Sequence, residues 1–224
     1  MKNFAIKKAR PLPVIILADT SGSMSINGKI DAMNQALKDL IDTLGGENRL
    51  HAEIQLSIIT FGGDKAVEHL SLKPAHQITD FTPMEAIGRT PMGDAFAMAQ
   101  ALIEDNERIP SRAYRPFIIL ISDGYPTDSW QSAFDNLCKS ERAQKGTRLA
   151  MAIGDDADIK MLEDFNNDLE ASVFKANDAR DIIHFFRVVS MSVTSRSRSV
   201  NPNESVEIDF DTPEEDFLDL DFQP

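Results

Sequence analysis

A single cysteine, Cys138, stands among 224 residues. No disulfide can close within the chain, and the sequence carries no sign of an oxidising compartment. On an amphipathic helix such a thiol reads as packing. Histidine is scarce too: His51, His69, His76 and His184 show neither metal-ligand spacing nor a neighbouring nucleophile motif, and all four read as surface or packing residues. A Walker-type phosphate loop is missing, as is any Ser-His-Asp or Cys-His arrangement. Long apolar runs are missing as well. The run that follows Lys2, Lys7, Lys8 and Arg10, Val14 to Ala18, is too short for a signal-peptide core or a membrane span. A cytoplasmic protein without a membrane partner is expected. Positive charge is in deficit, with 23 Lys and Arg against 36 Asp and Glu and a formal charge of -13. Phosphate binding needs clustered bases, which occur only at the N-terminus, so nucleic acid is excluded as a ligand.

What is present suits one α/β domain of a size that buries most of its surface. Pro13 to Ala18 is a continuous apolar run closed by Asp19, the pattern of a strand buried on both faces. From Ile30, apolar residues recur at Met33, Leu37, Leu40, Ile41 and Leu44 before Gly45-Gly46, a helical stripe with its stop signal. Ile54 to Phe61 and Val67 to Leu72 predict a hairpin at one sheet edge. Pro91 opens a helix predicted over Met92 to Ile109, Phe117 to Ser122 is another buried strand, and a helix is predicted over 129–145. A strand at 149–153, a helix at 159–165, a strand at 172–175 and a last helix from Ala179 follow. Strands alternating with helices predict a doubly wound, mostly parallel six-stranded sheet with one antiparallel edge strand and helices on both faces.

The domain is expected to span residues 1–190. Residues 191–204, where Ser, Thr, Arg196 and Arg198 dominate, read as a linker, and 205–224 as an acidic-hydrophobic tail. Nine acids and no base lie in 201–224; taking those nine from -13 leaves -4 for residues 1–200. In the tail Val206, Ile208 and Phe210, and again Leu218, Leu220 and Phe222, alternate with acids. Period two reads as strand, so the tail either adds to a sheet edge, in cis or in trans, or is a solubilising segment. One of its acids is also a candidate ligand for the metal site described next, in the same or a neighbouring chain.

Three segments fall at strand or helix ends: Asp19-Thr20-Ser21-Gly22-Ser23, Thr90-Pro91-Met92-Gly93 and Ser122-Asp123-Gly124. In an open parallel sheet, loops at the carboxyl ends of the strands converge on one crevice. Asp19, Ser21, Ser23, Thr90 and Asp123 would meet there as two carboxylates and three hydroxyls. These are hard oxygen donors, suited to Mg²⁺, with Mn²⁺ or Ca²⁺ as alternatives. The bland reading is turn and helix-cap chemistry, and for Thr90 alone the cap is the better explanation.

Together the three motifs resemble the metal-ion-dependent adhesion site of von Willebrand factor type A domains, over roughly residues 13–190. The resemblance implies that Ser21, Ser23 and Thr90 touch the metal directly, that Asp19 and Asp123 act largely through water, and that a partner protein supplies an Asp or Glu to the open face. Many relatives have glycine where this chain has Arg89. The phrases Thr90-Pro91-Met92-Gly93 and Asp123-Gly124-Tyr125-Pro126-Thr127-Asp128 look like the bacterial TerY/YegL-like branch, which implies a tellurium-resistance-like stress system with a Ser/Thr kinase and a PP2C-type phosphatase. Thr212-Pro213 and the linker serines are then candidate phosphorylation sites. The expected role is binding, not catalysis. A phosphoester hydrolase is the alternative, since an Asp at the end of a first strand also serves haloacid dehalogenase-type phosphatases, but the second acid that chemistry needs is replaced by Ser21. A subunit of an AAA+ ATPase or chelatase is a third reading.

Overall fold

The computed structural model describes residues 9–47, 51–167 and 172–204, with 208 and 210. The sheet consists of β1 (Arg10–Asp19), β2 (Ala52–Gly62), β3 (Lys65–Pro74), β4 (Phe117–Ser122), β5 (Thr147–Ile153) and β6 (Phe174–Ala176). The helices are α1 (Lys29–Gly45), α2 (Met92–Glu104), α3 (Gln131–Lys139), α4 (Glu141–Lys145), α5 (Ile159–Phe165) and α6 (Ala179–Arg198). The strand order is β3-β2-β1-β4-β5-β6. Every neighbouring pair is parallel except β2 with β3, so the predicted six-stranded mixed sheet with one antiparallel edge is what forms.

The unbroken apolar run of β1 is explained by its place between two cores. Val14, Ile16 and Ala18 enter one core with Met33, Leu37 and Leu40 of α1 and Phe185 and Val189 of α6. Ile15 and Leu17 enter the other with Phe96 and Ala99 of α2 and Phe165 of α5. Successive side chains of a strand point to opposite faces, so a strand covered on both sides has no polar position to spare. The chain leaves β1 toward β2 on one side and later enters β4 on the other. That reversal opens a crevice at the carboxyl ends of β1 and β4.

Three predicted helix boundaries are corrected. The helix expected to reach Ile109 ends at Glu104, because the Asp105 side chain accepts hydrogen bonds from the Glu107 and Arg108 backbone N–H groups, offering the backbone a turn in place of a further helical one. Ile109 is buried all the same, which is why the apolar spacing ran on. The helix expected over 129–145 is two helices broken at Ser140, whose extended backbone lets its hydroxyl cap α4 by accepting from Ala143 N–H.

The largest correction concerns residues 191–198, read as linker and in fact the second half of α6. Several of the polar side chains that looked solvent-bound are satisfied internally. Ser190 and Ser192 donate to the carbonyls of Phe186 and Val188. Arg196, only 2% exposed, donates to the carbonyls of Pro202 and Arg115 at 2.8 and 2.9 Å, and its guanidinium lies 4.4 Å from the Phe117 ring centroid. Beyond the helix, Asn203 accepts from Arg115 N–H. Of the tail, Ile208 is buried in the α1/α6 core. The Phe210 ring stacks on Phe185 with centroids 5.4 Å apart. The alternating segment around Leu218, Leu220 and Phe222 lies outside the described residues.

Replacing Arg196 by Ala tests this correction. The Pro202 and Arg115 carbonyls lose their donor and a core ring loses its cover, at a cost of about 3 kcal/mol. A surface linker arginine would cost within about 0.5 kcal/mol. Urea unfolding of Arg196→Ala against the native chain reads the difference directly.

Candidate metal centre

Asp19 is the last residue of β1, and Asp123 follows the last residue of β4. Both carboxylates are buried. Asp19 accepts from Ser21 N–H at 2.8 Å on one oxygen and from the Ser122 hydroxyl at 2.7 Å on the other. The Ser21 and Ser23 hydroxyls are 3.0 Å apart, and Ser23 donates to Asp123 at 2.7 Å. Four of the five expected residues are therefore joined in one hydrogen-bonded array across the β1 and β4 loops. Capping does not account for the serines, because their hydroxyls bond to each other and to Asp123, and neither caps the short helical turn that follows.

Thr90 reaches the array through backbone. Ile87 N–H donates to Thr20 O at 2.8 Å and Gly22 N–H to Gly88 O at 3.0 Å, which ties the segment before Thr90 against the Asp19 loop. Close approach demands glycine here. A side chain at Gly88, whose φ is +64°, would meet Gly63 Cα at 2.7 Å, and one at Gly62 would collide with Thr20. The cap reading of Thr90 is overturned. The N-terminus of α2 is capped by Asp128 from the β4 loop, which accepts from Gly93 and Asp94 N–H, while Thr90 and Thr127 exchange hydrogen bonds at 3.0 Å each. The Thr90 segment is thus clamped to the loop that carries Asp123.

Sequence reasoning missed Lys29. Its ammonium sits 2.8 Å from the second oxygen of Asp123 and its side chain is 20% exposed. A signal was available: Lys29 is the first residue of α1, where a cation faces the positive end of the helix dipole and is disfavoured unless an anion answers it. Ser122 and Asp128 lay in the motif segments without an assigned role. Arg89 is exposed on the rim. The four histidines and Cys138 take no part in these bonds; burial pushes the Cys138 thiol up, which lowers its thiolate fraction.

One ammonium against two buried carboxylates leaves an excess negative charge. Among the described residues, no cation pairs with Asp19. Burial pushes its carboxyl up from 3.8 to about 6, although the hydrogen bonds from Ser122 and Ser21 pull the other way. A recessed oxygen-only array with unneutralised charge fits a hard divalent cation, and Asp19, Ser21, Ser23, Thr90 and Asp123 are the residues able to hold it. Among the described residues no group of three or more His, Cys, Asp or Glu side chains offers an alternative.

The sequence profile of the von Willebrand factor type A domain family matches residues 14–188. No curated protein matches the chain. Among solved structures, a von Willebrand factor type A protein from Catenulispora acidiphila superposes with a TM-score of 0.62 at 23% identity, covering 82% of this chain and 42% of that one. Proximal thread matrix protein 1 from the mussel byssus, in a structure described as having a zinc-occupied MIDAS motif, gives 0.63 at 18% identity over 84% and 48%. The PilB minor pilin of Streptococcus sanguinis, as a D319A mutant, gives 0.58 at 14% identity over 85% and 63%. At these identities the likeness is one of fold, and the chain spans less than half the length of the first two.

Two substitutions test the charge balance. In the folded, metal-free chain Asp19 keeps its proton up to about pH 6, against 3.8 for a free carboxyl. Its contribution to stability is complete below pH 4 and lost as pH rises through 6, a cost of roughly 3 kcal/mol above that. Asp19→Asn, which keeps an acceptor for Ser21 N–H, is expected to raise the metal-free melting temperature at pH 8, to lose that advantage below pH 4, and to abolish stabilisation by added Mg²⁺. Lys29→Met is expected to act oppositely: lower metal-free stability, and Mg²⁺ affinity by calorimetry tighter on the order of tenfold, since the competing cation is gone.

Proposed function

Because the chain belongs to the von Willebrand factor type A domain family, we propose that it is a binding module whose Asp19, Ser21, Ser23, Thr90 and Asp123 hold Mg²⁺, or alternatively Mn²⁺ or Ca²⁺, and whose bound ion grips an Asp or Glu of a partner protein. When bound, the ion supplies a directional electrophile for one carboxylate oxygen. The remaining work belongs to the chain's own residues. By the family resemblance, Ser21, Ser23 and Thr90 would offer hydroxyls to the ion, and Asp19 and Asp123 would act largely through water. Ser122 and the Asp128 clamp keep the loops in register.

The observation that carries this reading is the Lys29–Asp123 ion pair beside an unpaired Asp19. With Lys29 in place the two carboxylates leave a site charge of about -1, so the site would stand at about +1 with a divalent ion bound and would be neutral once a partner carboxylate joined it. Each step needs the one before it. Catalysis is disfavoured by the same bonds: Asp19 has both oxygens engaged by Ser21 and Ser122, and Ser21, at the position where a phosphatase keeps its general acid, is held by Ser23.

The wider assignment is a cytoplasmic adaptor in a bacterial stress system of the TerY/YegL-like kind, working beside a Ser/Thr kinase and a PP2C-type phosphatase. It rests on the Thr90–Gly93 and Asp123–Asp128 phrases and on the scarcity of cysteine. Among the described residues no helix is long and apolar enough to cross a membrane. Service beside an AAA+ ATPase is the second form of the same binding role.

The test is a metal titration joined to capture. Mg²⁺ is expected to raise the melting temperature of the native chain by several degrees and to leave Asp19→Ala unmoved. Capture of a partner from lysate is expected to disappear with chelator and with Asp19→Ala. Mg²⁺-dependent hydrolysis of p-nitrophenyl phosphate, lost in Asp19→Ala, would instead establish the hydrolase.

A further inference from the structure

Large apolar side chains exposed on a folded surface call for an explanation when they gather at one place. Among the described residues six stand out, and three of them lie on the loops that carry the candidate metal centre: Ile26 (56% exposed), Ile87 (64%) and Tyr125 (63%). Ile26 comes three residues after Ser23, and Tyr125 two after Asp123. Ile87 is bonded through its own N–H to Thr20. The carboxylates below them are buried, so the open face of the site is a recess with an apolar rim. Arg89, exposed on the same rim, adds a cation, as does the partly exposed Lys29. A fitting ligand is an acid flanked in sequence by large apolar residues.

The chain's own C-terminus has this composition. Leu218-Asp219-Leu220-Asp221-Phe222 places two acids between three apolar side chains, in a region of nine acids and no base. The course of the preceding residues brings it to the right end of the molecule. Asn203 is fixed to Arg115, ahead of the start of β4 and at the opposite end from the site. Phe210 is fixed beside Phe174 and Phe185, with its carbonyl 3.0 Å from His184 Nε2. His184 is five residues into α6, about 8 Å below the helix start, so Phe210 sits much nearer the metal-face end of α6 than Asn203 does. From β6 to the β1/β4 crevice is two to three strand spacings, ~12 Å. The eight residues from Phe210 to Leu218 span up to ~27 Å. The reach is ample.

We propose that the rim of Ile26, Ile87 and Tyr125 is the docking surface for the segment Leu218–Phe222 of the same chain, with Asp219 or Asp221 directed to the bound ion. The tail is then a tethered competitor that an outside acidic partner must displace. This rests on the metal-dependent binding role proposed above and names the ligand chemistry and regulation of that site. A short tether gives an effective concentration on the order of millimolar. A modest acid-to-ion contact therefore keeps the site closed to weak ligands and leaves it open to strong ones.

The test uses the full chain and a fluorescent synthetic peptide with the sequence of residues 213–224. Asp219→Asn/Asp221→Asn in the full chain removes the tethered acids. In Mg²⁺ the peptide is expected to bind this variant at least tenfold tighter than the native chain, and chelator is expected to abolish binding. Adding Ile87→Ser and Tyr125→Ser, both at exposed positions that leave the core untouched, is expected to weaken the peptide by tenfold or more. Equal peptide affinity for native and Asn-substituted chains overturns the proposal, as does indifference to the rim substitutions. A Mg²⁺-dependent dimer of the native chain that the Asn substitutions dissolve overturns the same-chain assignment in favour of exchange between copies. Calorimetry with Mg²⁺ alone separates the two levels. If the metal binds and Asp19→Ala abolishes it while the peptide fails, only the tail proposal falls; if the metal itself fails to bind, the functional reading falls with it.

Discussion

Burial of negative charge at the carboxyl end of the sheet is the constraint around which this molecule is arranged. Asp19 ends β1 and Asp123 follows the end of the adjacent parallel strand β4, and the buried residues before them are apolar except Ser122, which donates to Asp19. Each carboxylate has been taken out of water by the strands that position it. Taking a carboxylate out of water costs several kcal/mol unless hydrogen bonds and counter-charge replace the lost hydration. Hydrogen bonds are supplied in full, from Ser21, Ser23 and Ser122. Counter-charge is supplied by half, through Lys29. The deficit appears in Asp19, whose carboxyl is pushed up to about 6 by burial. A fold that leaves this deficit in place has room for one more cation.

The loops that surround the deficit are held more firmly than their lack of regular structure implies. Backbone bonds join the segment at 87–89 to Thr20, Gly22 and Gly63. The Asp128 carboxylate caps α2 from a different loop. Three stretches of chain distant in sequence are thereby fixed to one another before any ligand arrives. Preorganisation of this kind lowers the ordering cost of binding. Glycine at 62 and 88 is the steric condition for it, because each stands where a Cβ would strike the facing backbone.

Much of this was legible in the sequence, for a physical reason. β1 and β4 read clearly because a strand buried on both faces is almost wholly apolar, Ser122 being the exception, and the Asp that closes each run marks the carboxyl end of the sheet. The three motif segments read clearly because their residue types are poor choices for a core and good choices for a hard cation. What escaped were side chains whose partners are remote in sequence. Lys29 meets Asp123 across 94 residues, and Arg196 meets Arg115 across 81. Local pattern places a charged or hydroxylated side chain in solvent by default, so residues 191–198 read as linker when their serines bond back within the helix and their arginine is buried. Asp105 and Ser140 stopped helices by side-chain bonds within two or three residues, a signal that apolar periodicity overrode.

Lys29 also bears on how the fold tolerates two buried acids in one recess. Two bare carboxylates in one recess would repel each other and favour opening of the loops. A tethered ammonium at the first position of α1 relieves that repulsion at Asp123 and leaves Asp19 without a paired cation among the described residues, its carboxyl pushed up to about 6 by burial. The recess is left one positive charge short, a balance that an apolar residue at position 29 would upset in one direction and a second buried cation in the other. The serines complete it, since a hydroxyl can donate to a carboxylate in the empty site and offer its lone pair to a cation in the filled one without moving the backbone. Carboxylates in place of Ser21 and Ser23 would bind a cation more strongly, but they would quench the positive charge on which the proposed recognition of an outside acid depends.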